Sequence, residues 1–204
     1  MLVACASGES RLPATSPTGR GESTTAPPPT TVARASCQPV SSQAASSQPP
    51  SSRPPSGPWV IQSTLYPYAL TLPVEALAFE PANRAWDGPS AITRDRPILD
   101  RVILPDAVLF IAGCAWPGGL ESFAQMYVEL QADLGCSQMK DPRQTTVAAT
   151  PALAFMQDSC GVDRGETFAR LAVVHDGFGL IAFTGARPGA IDHLVAVLAG
   201  LTWR

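Results

Sequence analysis

Two histidines are the side chains best suited to acid–base chemistry, because an imidazole changes its charge near neutral pH. His175 directly precedes an Asp-Gly pair, and His193 follows Asp192 in an apolar C-terminal run. A hydrolytic triad needs a nucleophile, a base and an orienting carboxylate, and the sequence has no Gly-x-Ser-x-Gly turn or other nucleophile motif. Neighbouring residues of a strand point to opposite sides, so Asp176 is not expected to orient His175. The sequence therefore predicts a protein that is not an enzyme, with both histidines at the surface.

Residues 81 to 106 contain acidic residues interleaved with arginines. The six residues are Asp95, Asp100, Asp106, Arg94, Arg96 and Arg101. A calcium loop needs carboxylates at tighter spacing without competing cations, so we expect solvated ion pairs on a long surface loop. The chain has no Cys-x-x-Cys motif or Cys/His cluster at the spacing of zinc ligands, and no metal or cofactor is predicted. An enzyme of unrecognised type that uses His175 with these acidic residues stays open as an alternative.

Three large aromatic side chains are candidates for a binding cleft: Trp86, Trp116 and Tyr127. Both tryptophans are followed by turn residues, which places them near loops, where binding residues are common. Large aromatic residues of a single domain are also typical of its core. Both interpretations stay open from the sequence alone.

The charge of the chain argues against nucleic acid as a partner. The formal net charge is −3, the only lysine is Lys140, and the isoelectric point is about 5.3. Nucleic acids and anionic membrane surfaces bind clustered lysines and arginines. No stretch reaches the roughly 18 apolar residues that cross a bilayer. A chain of 204 residues with 45% hydrophobic residues suits one domain with appendages.

The N-terminal quarter of the chain differs sharply from the rest. Residues 6–57 are rich in Ser, Thr and Pro and contain no aromatic residue. Such a segment cannot bury enough apolar surface to offset the entropy of ordering, so we expect a disordered linker. The predicted organisation is a short leader at 1–5, a linker at 6–57 and a domain at 58–204.

The first five residues, Met-Leu-Val-Ala-Cys, resemble the end of a bacterial lipoprotein signal peptide. In that family the cysteine becomes the lipidated N-terminus once the signal peptide is cleaved, which makes Cys5 the lipid anchor of a full-length form. The basic and apolar regions of a signal peptide are missing upstream, so either the natural start lies earlier or the match is chance. The resemblance implies a cell-envelope protein, lipid-anchored to the membrane or secreted.

Four further cysteines bear on the compartment, and four cysteines allow three complete pairings. Cys37 lies in the linker, whereas Cys136 and Cys160 follow the ends of a predicted helix and strand, where side chains can meet. Cys114 falls inside an apolar strand and behaves as a small hydrophobic residue. We expect a disulfide between Cys136 and Cys160 and a reduced thiol at Cys114.

Hydrophobic periodicity predicts an α+β domain with an antiparallel sheet flanked by helices. The Asp-Gly pair at 176–177 predicts a two-residue hairpin whose strands are apolar on both faces. The predicted strands cover 68–72, 76–79, 107–115, 145–149, 152–157, 167–174 and 178–184, and the helices 120–134 and 188–198. Residues 201–203 are expected to close the sheet or dock on it.

The domain resembles the PsbP-like α/β/α sandwich of photosystem II extrinsic subunits and of exported bacterial lipoproteins. The resemblance covers 66–204 and rests on Tyr-Ala-Leu-Thr-Leu-Pro at 68–73, Trp-Asp-Gly at 86–88, Trp-Pro-Gly at 116–118, Val-His-Asp-Gly-Phe-Gly at 174–179 and Leu-Thr-Trp at 201–203. It implies a scaffold for interaction or assembly without catalytic residues. We therefore expect a non-catalytic envelope module that binds a protein or a small ligand, with an enzyme or a structural assembly subunit as alternatives.

Overall fold

An eight-stranded antiparallel sheet forms the centre of the domain in the computed structural model. The structure describes residues 37–38, 51–52, 57–86, 88, 91–94, 97–160 and 165–204, all within the unit that spans 34–204. The strands in chain order are β1 (Ser51–Ser52), β2 (Trp59–Gln62), β3 (Tyr68–Leu72), β4 (Ala78–Glu80), β5 (Asp100–Ile103), β6 (Val108–Ala115), β7 (Lys140–Val147), β8 (Thr150–Cys160), β9 (Glu166–His175), β10 (Phe178–Gly185) and β11 (Leu201–Trp203). The helices are α1 (Leu120–Ala132) and α2 (Ala190–Leu198).

The strand order confirms the predicted α+β class. The large sheet runs β1-β4-β5-β6-β10-β9-β8-β7, and a smaller sheet runs β11-β3-β2, with every neighbouring pair antiparallel. Residues 201–203 thus extend the smaller sheet, where Leu201 lies opposite Leu70.

The β9–β10 hairpin forms as predicted around its Asp-Gly turn. Asp176 and Gly177 have φ angles of 44° and 76°, which a type I′ turn requires at both central positions. The register places Phe183 beside Arg170 on one face and Leu180 beside Val173 on the other. Both faces of the hairpin are buried, as the apolar residues on both sides indicate.

Two layers cover the two faces of the large sheet. On the first face, here called the α1 face, the ring of Phe123 packs over Gly179, so closely that a Cβ there would lie 2.4 Å from Phe123 Cε2. On the opposite face, here called the β3 face, Tyr68 of the smaller sheet contacts Asp100. The domain is therefore a sheet-dominated sandwich, because apolar surface on both sides of the large sheet must be covered.

The expectation of a long surface loop over 81–106 is wrong. This range contains β5, which pairs with β4 and β6, and several of its side chains are buried. The buried residues include Trp86, Ile92, Ile98, Leu99, Val102 and Leu104. The sequence pattern did not predict this strand because two charged residues, Asp100 and Arg101, occupy the first two of its four positions.

Four residues within the expected linker over 6–57, those that the structure describes before Gly57, are joined to the domain. Cys37 is buried, and Gln38 exchanges two backbone hydrogen bonds of 3.1 Å with Ala115. Ser51–Ser52 forms β1 and pairs with β4. These residues belong to the domain. The rest of 6–56, and Cys5 with the other leader residues, lie outside the described part of the chain.

Candidate functional site

The three aromatic residues expected in a binding cleft are buried. Trp86, Trp116 and Tyr127 are 0%, 1% and 0% exposed. Trp86 meets Tyr127 edge-on with ring centroids 6.4 Å apart, and Trp116 packs on Phe123 at 5.6 Å. In this conformation none of the three reaches the surface, so they contribute to packing on the α1 face and form no open cleft.

A buried arginine, Arg170 of β9, is the unusual group on this face. Its guanidinium carbon lies 5.0 Å from the ring centroid of Tyr127, 4.9 Å from that of Phe168 and 5.0 Å from that of Phe183. One guanidinium nitrogen, Nη1, donates a hydrogen bond to the Tyr127 hydroxyl. Aromatic faces attract cations, and the attraction grows when water is excluded. The rings therefore form an aromatic cage around the guanidinium.

The charge of Arg170 has no carboxylate partner among the described residues. The side chain is 2% exposed, and its Nε has no hydrogen-bond partner there. Burial lowers the pKa of Arg170, and the contact with Tyr127 opposes this effect. Guanidinium groups stay protonated in proteins, so the domain contains a buried positive charge whose neighbours, in the described part of the chain, are aromatic rings, a hydroxyl and sulfur atoms.

Two sulfur atoms complete the surroundings of Arg170. Its Nη2 lies 3.6 Å from Cys160 Sγ and 4.0 Å from Cys136 Sγ. The two cysteines form a disulfide, the pairing that the sequence favours. Sequence reasoning did not single out Arg170, although an arginine within the apolar run Phe-Ala-Arg-Leu-Ala-Val-Val was an available signal.

Two further arginines lie over aromatic rings of the same face, and each is paired with a carboxylate. Arg94 lies over Phe168 at 5.7 Å and pairs with Glu166. Arg101 lies over Phe110 at 6.0 Å, and its Nη1 is 3.3 Å from Glu80. These pairs are partly exposed, so each contributes little to stability.

A second disulfide contradicts the expected thiol at Cys114. Cys114 of β6 is joined to Cys37, 77 residues earlier in the chain. The bridge is possible because Gln38 pairs with Ala115, which holds Cys37 beside β6. Gly88, with φ of 81°, packs where a Cβ would lie 2.2 Å from Cys37 Cβ. An apolar strand hides a bonded cysteine as well as a reduced one, so the sequence pattern could not separate the two states.

The acidic residues expected in solvated ion pairs behave differently from one another. Asp106 is exposed and pairs with Arg187, whose hydrogen bond lowers the pKa of Asp106. Asp95 and Arg96 lie outside the described residues. Asp100, by contrast, is 0% exposed, so the expectation of a solvated ion pair is wrong for this residue.

Asp100 accepts three hydrogen bonds between the two sheets. Its Oδ2 accepts from Ser63 Oγ at 2.6 Å and from Tyr68 Oη at 2.5 Å, and its Oδ1 accepts from the Ala82 backbone N–H at 2.7 Å. Burial raises the pKa of Asp100, although the three donors act in the opposite direction. Burial and the nearby carboxylate raise the pKa of Tyr68. This network is sealed inside the domain, so it serves packing rather than ligand contact.

The histidines do not assemble a catalytic arrangement in the described part of the chain. The His175 ring stacks on Trp203 with centroids 4.8 Å apart, and its Nε2 lies 3.4 Å from Asp176 Oδ2. The Asp176 carboxylate approaches the ring because Asp176 lies in the turn and not in the strand, but the contact is partly exposed and no hydrogen bond joins the two described side chains. His193 contacts Arg187. Neither contact includes a nucleophile.

Comparison with family models and with curated proteins gives no match for this chain. Neither described helix is long and apolar enough to cross a membrane. Within the described ranges, no three histidine, cysteine or acidic side chains are grouped in a way that would hold a metal ion. The function must therefore be inferred from the disulfides, the buried charges and the surface.

Proposed function

We propose that this chain is a non-catalytic module of the cell envelope that binds a partner outside the cytoplasm. The observation that carries the proposal is the pair of disulfides, Cys37–Cys114 and Cys136–Cys160. Disulfides of this kind persist in oxidising compartments and are rare in a reducing cytosol. In the full-length form, a lipid on Cys5 would attach the module to the membrane.

The burial of Asp100 and Arg170 supports a role in packing rather than in catalysis for these two residues. Asp100 uses both carboxylate oxygens in buried hydrogen bonds, and Arg170 is enclosed by rings. Catalytic groups must reach a substrate within hydrogen-bonding distance. The PsbP-like resemblance, which implies an interaction scaffold, agrees with this proposal.

The state of the cysteines in the cell tests the compartment. We expect Cys37, Cys114, Cys136 and Cys160 to resist alkylation when cells that express the natural gene are quenched with acid and treated with iodoacetamide before reduction. Peptide mass mapping gives the labelled fraction at each cysteine. The matched control is the same chain produced in a reducing cytosol, where labelling should rise at all four. Labelling of most molecules in the natural compartment would contradict the proposal.

A protein partner is favoured over a small ligand by the exposed apolar side chains. Val60, Val74 and Leu77 are 55%, 71% and 57% exposed. Val60 lies on β2, which is an edge strand of the smaller sheet. Edge strands with exposed apolar residues are suited to pairing with another chain. The same observation favours the second candidate function, a subunit of a larger assembly.

In-cell photo-crosslinking distinguishes these partners. With a photoreactive residue in place of Val60, we expect a covalent adduct with an envelope protein. The matched control is Gln144, an exposed polar residue on β7 at the edge of the large sheet, where no adduct is expected. An adduct of twice the chain mass would support assembly of identical subunits. Equal adducts at Val60 and Gln144, or none at Val60, would contradict a protein partner at this surface.

A further inference from the structure

One of the two disulfides lies against a buried positive charge. Cys37–Cys114 joins the N-terminal segment to β6 beside Gly88. Cys136–Cys160 instead lies against the guanidinium of Arg170, with Nη2 3.6 Å from one sulfur and 4.0 Å from the other. A disulfide carries no charge, whereas a reduced cysteine can ionise. The two bridges should therefore respond differently to a reductant.

Arg170 lacks an anionic partner in the oxidised protein, as far as the described residues show, and reduction would create one. A thiolate is stabilised by an adjacent positive charge. The stabilisation is larger where water is excluded, and the contact site is buried, with Cys160 3% and Cys136 8% exposed. Stabilising the reduced form makes a disulfide easier to reduce.

We propose that Cys136–Cys160 is a redox-responsive disulfide whose reduced form is stabilised by Arg170, while Cys37–Cys114 is a structural bridge. The inference does not depend on the proposed function, because it concerns the relative stability of two bridges in the purified protein. It assigns the buried arginine a role that packing alone does not require.

The geometry also gives the direction of the reaction with an external dithiol. A dithiol thiolate attacks the Sγ of Cys136, the more exposed of the two residues, and the Cys136–Cys160 bond breaks as the mixed disulfide forms. Cys160 leaves as a thiolate beside Arg170 Nη2. The second dithiol sulfur, as its thiolate, then attacks the mixed disulfide and releases Cys136, which takes up a proton. The dithiol loses two electrons and the protein disulfide gains them.

Other groups near Cys160 oppose the effect. The backbone oxygens of Gln157 and Asp158 lie 4.0 Å and 3.6 Å from Cys160 Sγ and disfavour a negative charge there. The Asp158 carboxylate is paired with Lys140 at the surface. A full positive charge at 3.6 Å outweighs two backbone dipoles at similar distances, so the net effect favours the Cys160 thiolate.

The test is an equilibrium titration of the purified, oxidised chain with reduced and oxidised dithiothreitol. Alkylation and peptide mapping give the reduced fraction of each bridge, and circular dichroism reports the fold. In the unmodified protein we expect Cys136–Cys160 to be half reduced at a dithiol-to-disulfide ratio at least tenfold lower than the ratio that half-reduces Cys37–Cys114. A tenfold difference in this ratio corresponds to about 30 mV in reduction potential. Simultaneous reduction of both bridges, or earlier reduction of Cys37–Cys114, would overturn the proposal.

Substitutions isolate the contribution of the charge. Arg170→Met keeps an unbranched side chain and removes the charge, so the ratio needed to reduce Cys136–Cys160 should rise at least tenfold, with Cys37–Cys114 unchanged. Arg170→Lys should retain part of the effect, and Tyr127→Phe, which keeps the ring and the arginine, should change the ratio less than threefold. If Arg170→Met does not fold, the comparison of the two bridges in the unmodified protein still tests whether Cys136–Cys160 is the more easily reduced bridge. An unchanged ratio in folded Arg170→Met would refute the role of Arg170.

A second readout depends on ionisation rather than on packing. In the reduced protein, the rate of alkylation at Cys160 should fall little between pH 9 and pH 6, although an ordinary thiol is almost fully protonated at pH 6. Arg170→Met should slow this reaction at pH 6 by at least tenfold relative to its rate at pH 9. Identical pH profiles for the two proteins would contradict the proposal.

Discussion

Replacing Cys37 and Cys114 together by alanine is expected to lower the free energy of unfolding by about 4.5 kcal/mol. The bridge spans 77 residues, and the loop-entropy relation gives this value at 25 °C for a loop of that length. The physical reason is that the bridge restricts the unfolded chain, so its removal favours the unfolded state. Urea unfolding followed by circular dichroism measures the change.

The shorter bridge provides a matched control for that measurement. Cys136 and Cys160 are 24 residues apart, and the same relation gives about 3.4 kcal/mol for their removal. The stability loss for this shorter bridge should be smaller than about 3.4 kcal/mol if water replaces the sulfur contacts of Arg170. A loss below about 1 kcal/mol for Cys37→Ala with Cys114→Ala would show that this bridge is not formed in the native protein.

Replacing Asp100 by alanine is expected to lower the free energy of unfolding by about 3 to 5 kcal/mol at pH 7. The substitution leaves the donors of Ser63, Tyr68 and Ala82 without their buried acceptor, and each orphaned donor costs about 1 to 3 kcal/mol. Asp100→Asn is the matched control, because an amide keeps one oxygen acceptor and nearly the same shape. Its loss should be clearly smaller, and equal losses would contradict the network.

The pH dependence of stability gives the Asp100 prediction a sign. The pKa of Asp100 is raised above its ordinary value of 3.8 in the folded protein, mainly by burial. The folded state therefore binds the proton more tightly, so this contribution to stability is complete below pH 3.8 and is lost as the pH rises through the raised pKa. As the pH rises from 3.8 through the raised pKa, the free energy of unfolding of the unmodified protein should fall relative to that of Asp100→Asn. Parallel stability curves from urea titrations would contradict the shift.

Local signals predicted the elements that depend on local chemistry. The Asp-Gly pair specified the β9–β10 turn, and the apolar steps of 120–134 gave the helix α1, whose end is followed by Gly135 at φ of 76°. The β7–β8 turn gave no such signal, because it uses Ala148 and Ala149 at φ of 49° and 63°. Alanine is not a turn residue and rarely adopts this conformation, so only tertiary pairing explains the turn.

The buried polar groups could not be predicted because they depend on contacts distant in sequence. Asp100 is bound by Ser63, 37 residues away, and Arg170 by Tyr127, 43 residues away. A charged residue in a short apolar run can lie at an exposed edge of a sheet or in a buried hydrogen-bond network, and sequence spacing does not distinguish these two cases. The position of Cys37 also depends on a distant contact, the bond to Cys114, whereas the Ser, Thr and Pro residues around it indicated a linker.

The Cys37–Cys114 bridge also determines how the domain would respond to mechanical pulling. A force applied to the chain before Cys37 passes through the disulfide to Cys114 and bypasses the residues between them. It arrives at β6, which is hydrogen-bonded on one side to β5 and on the other to β10. The short outer strand β1, which would otherwise be the first to peel away, is removed from the path of the force. Tension on the N-terminal segment would therefore act on the middle of the largest sheet.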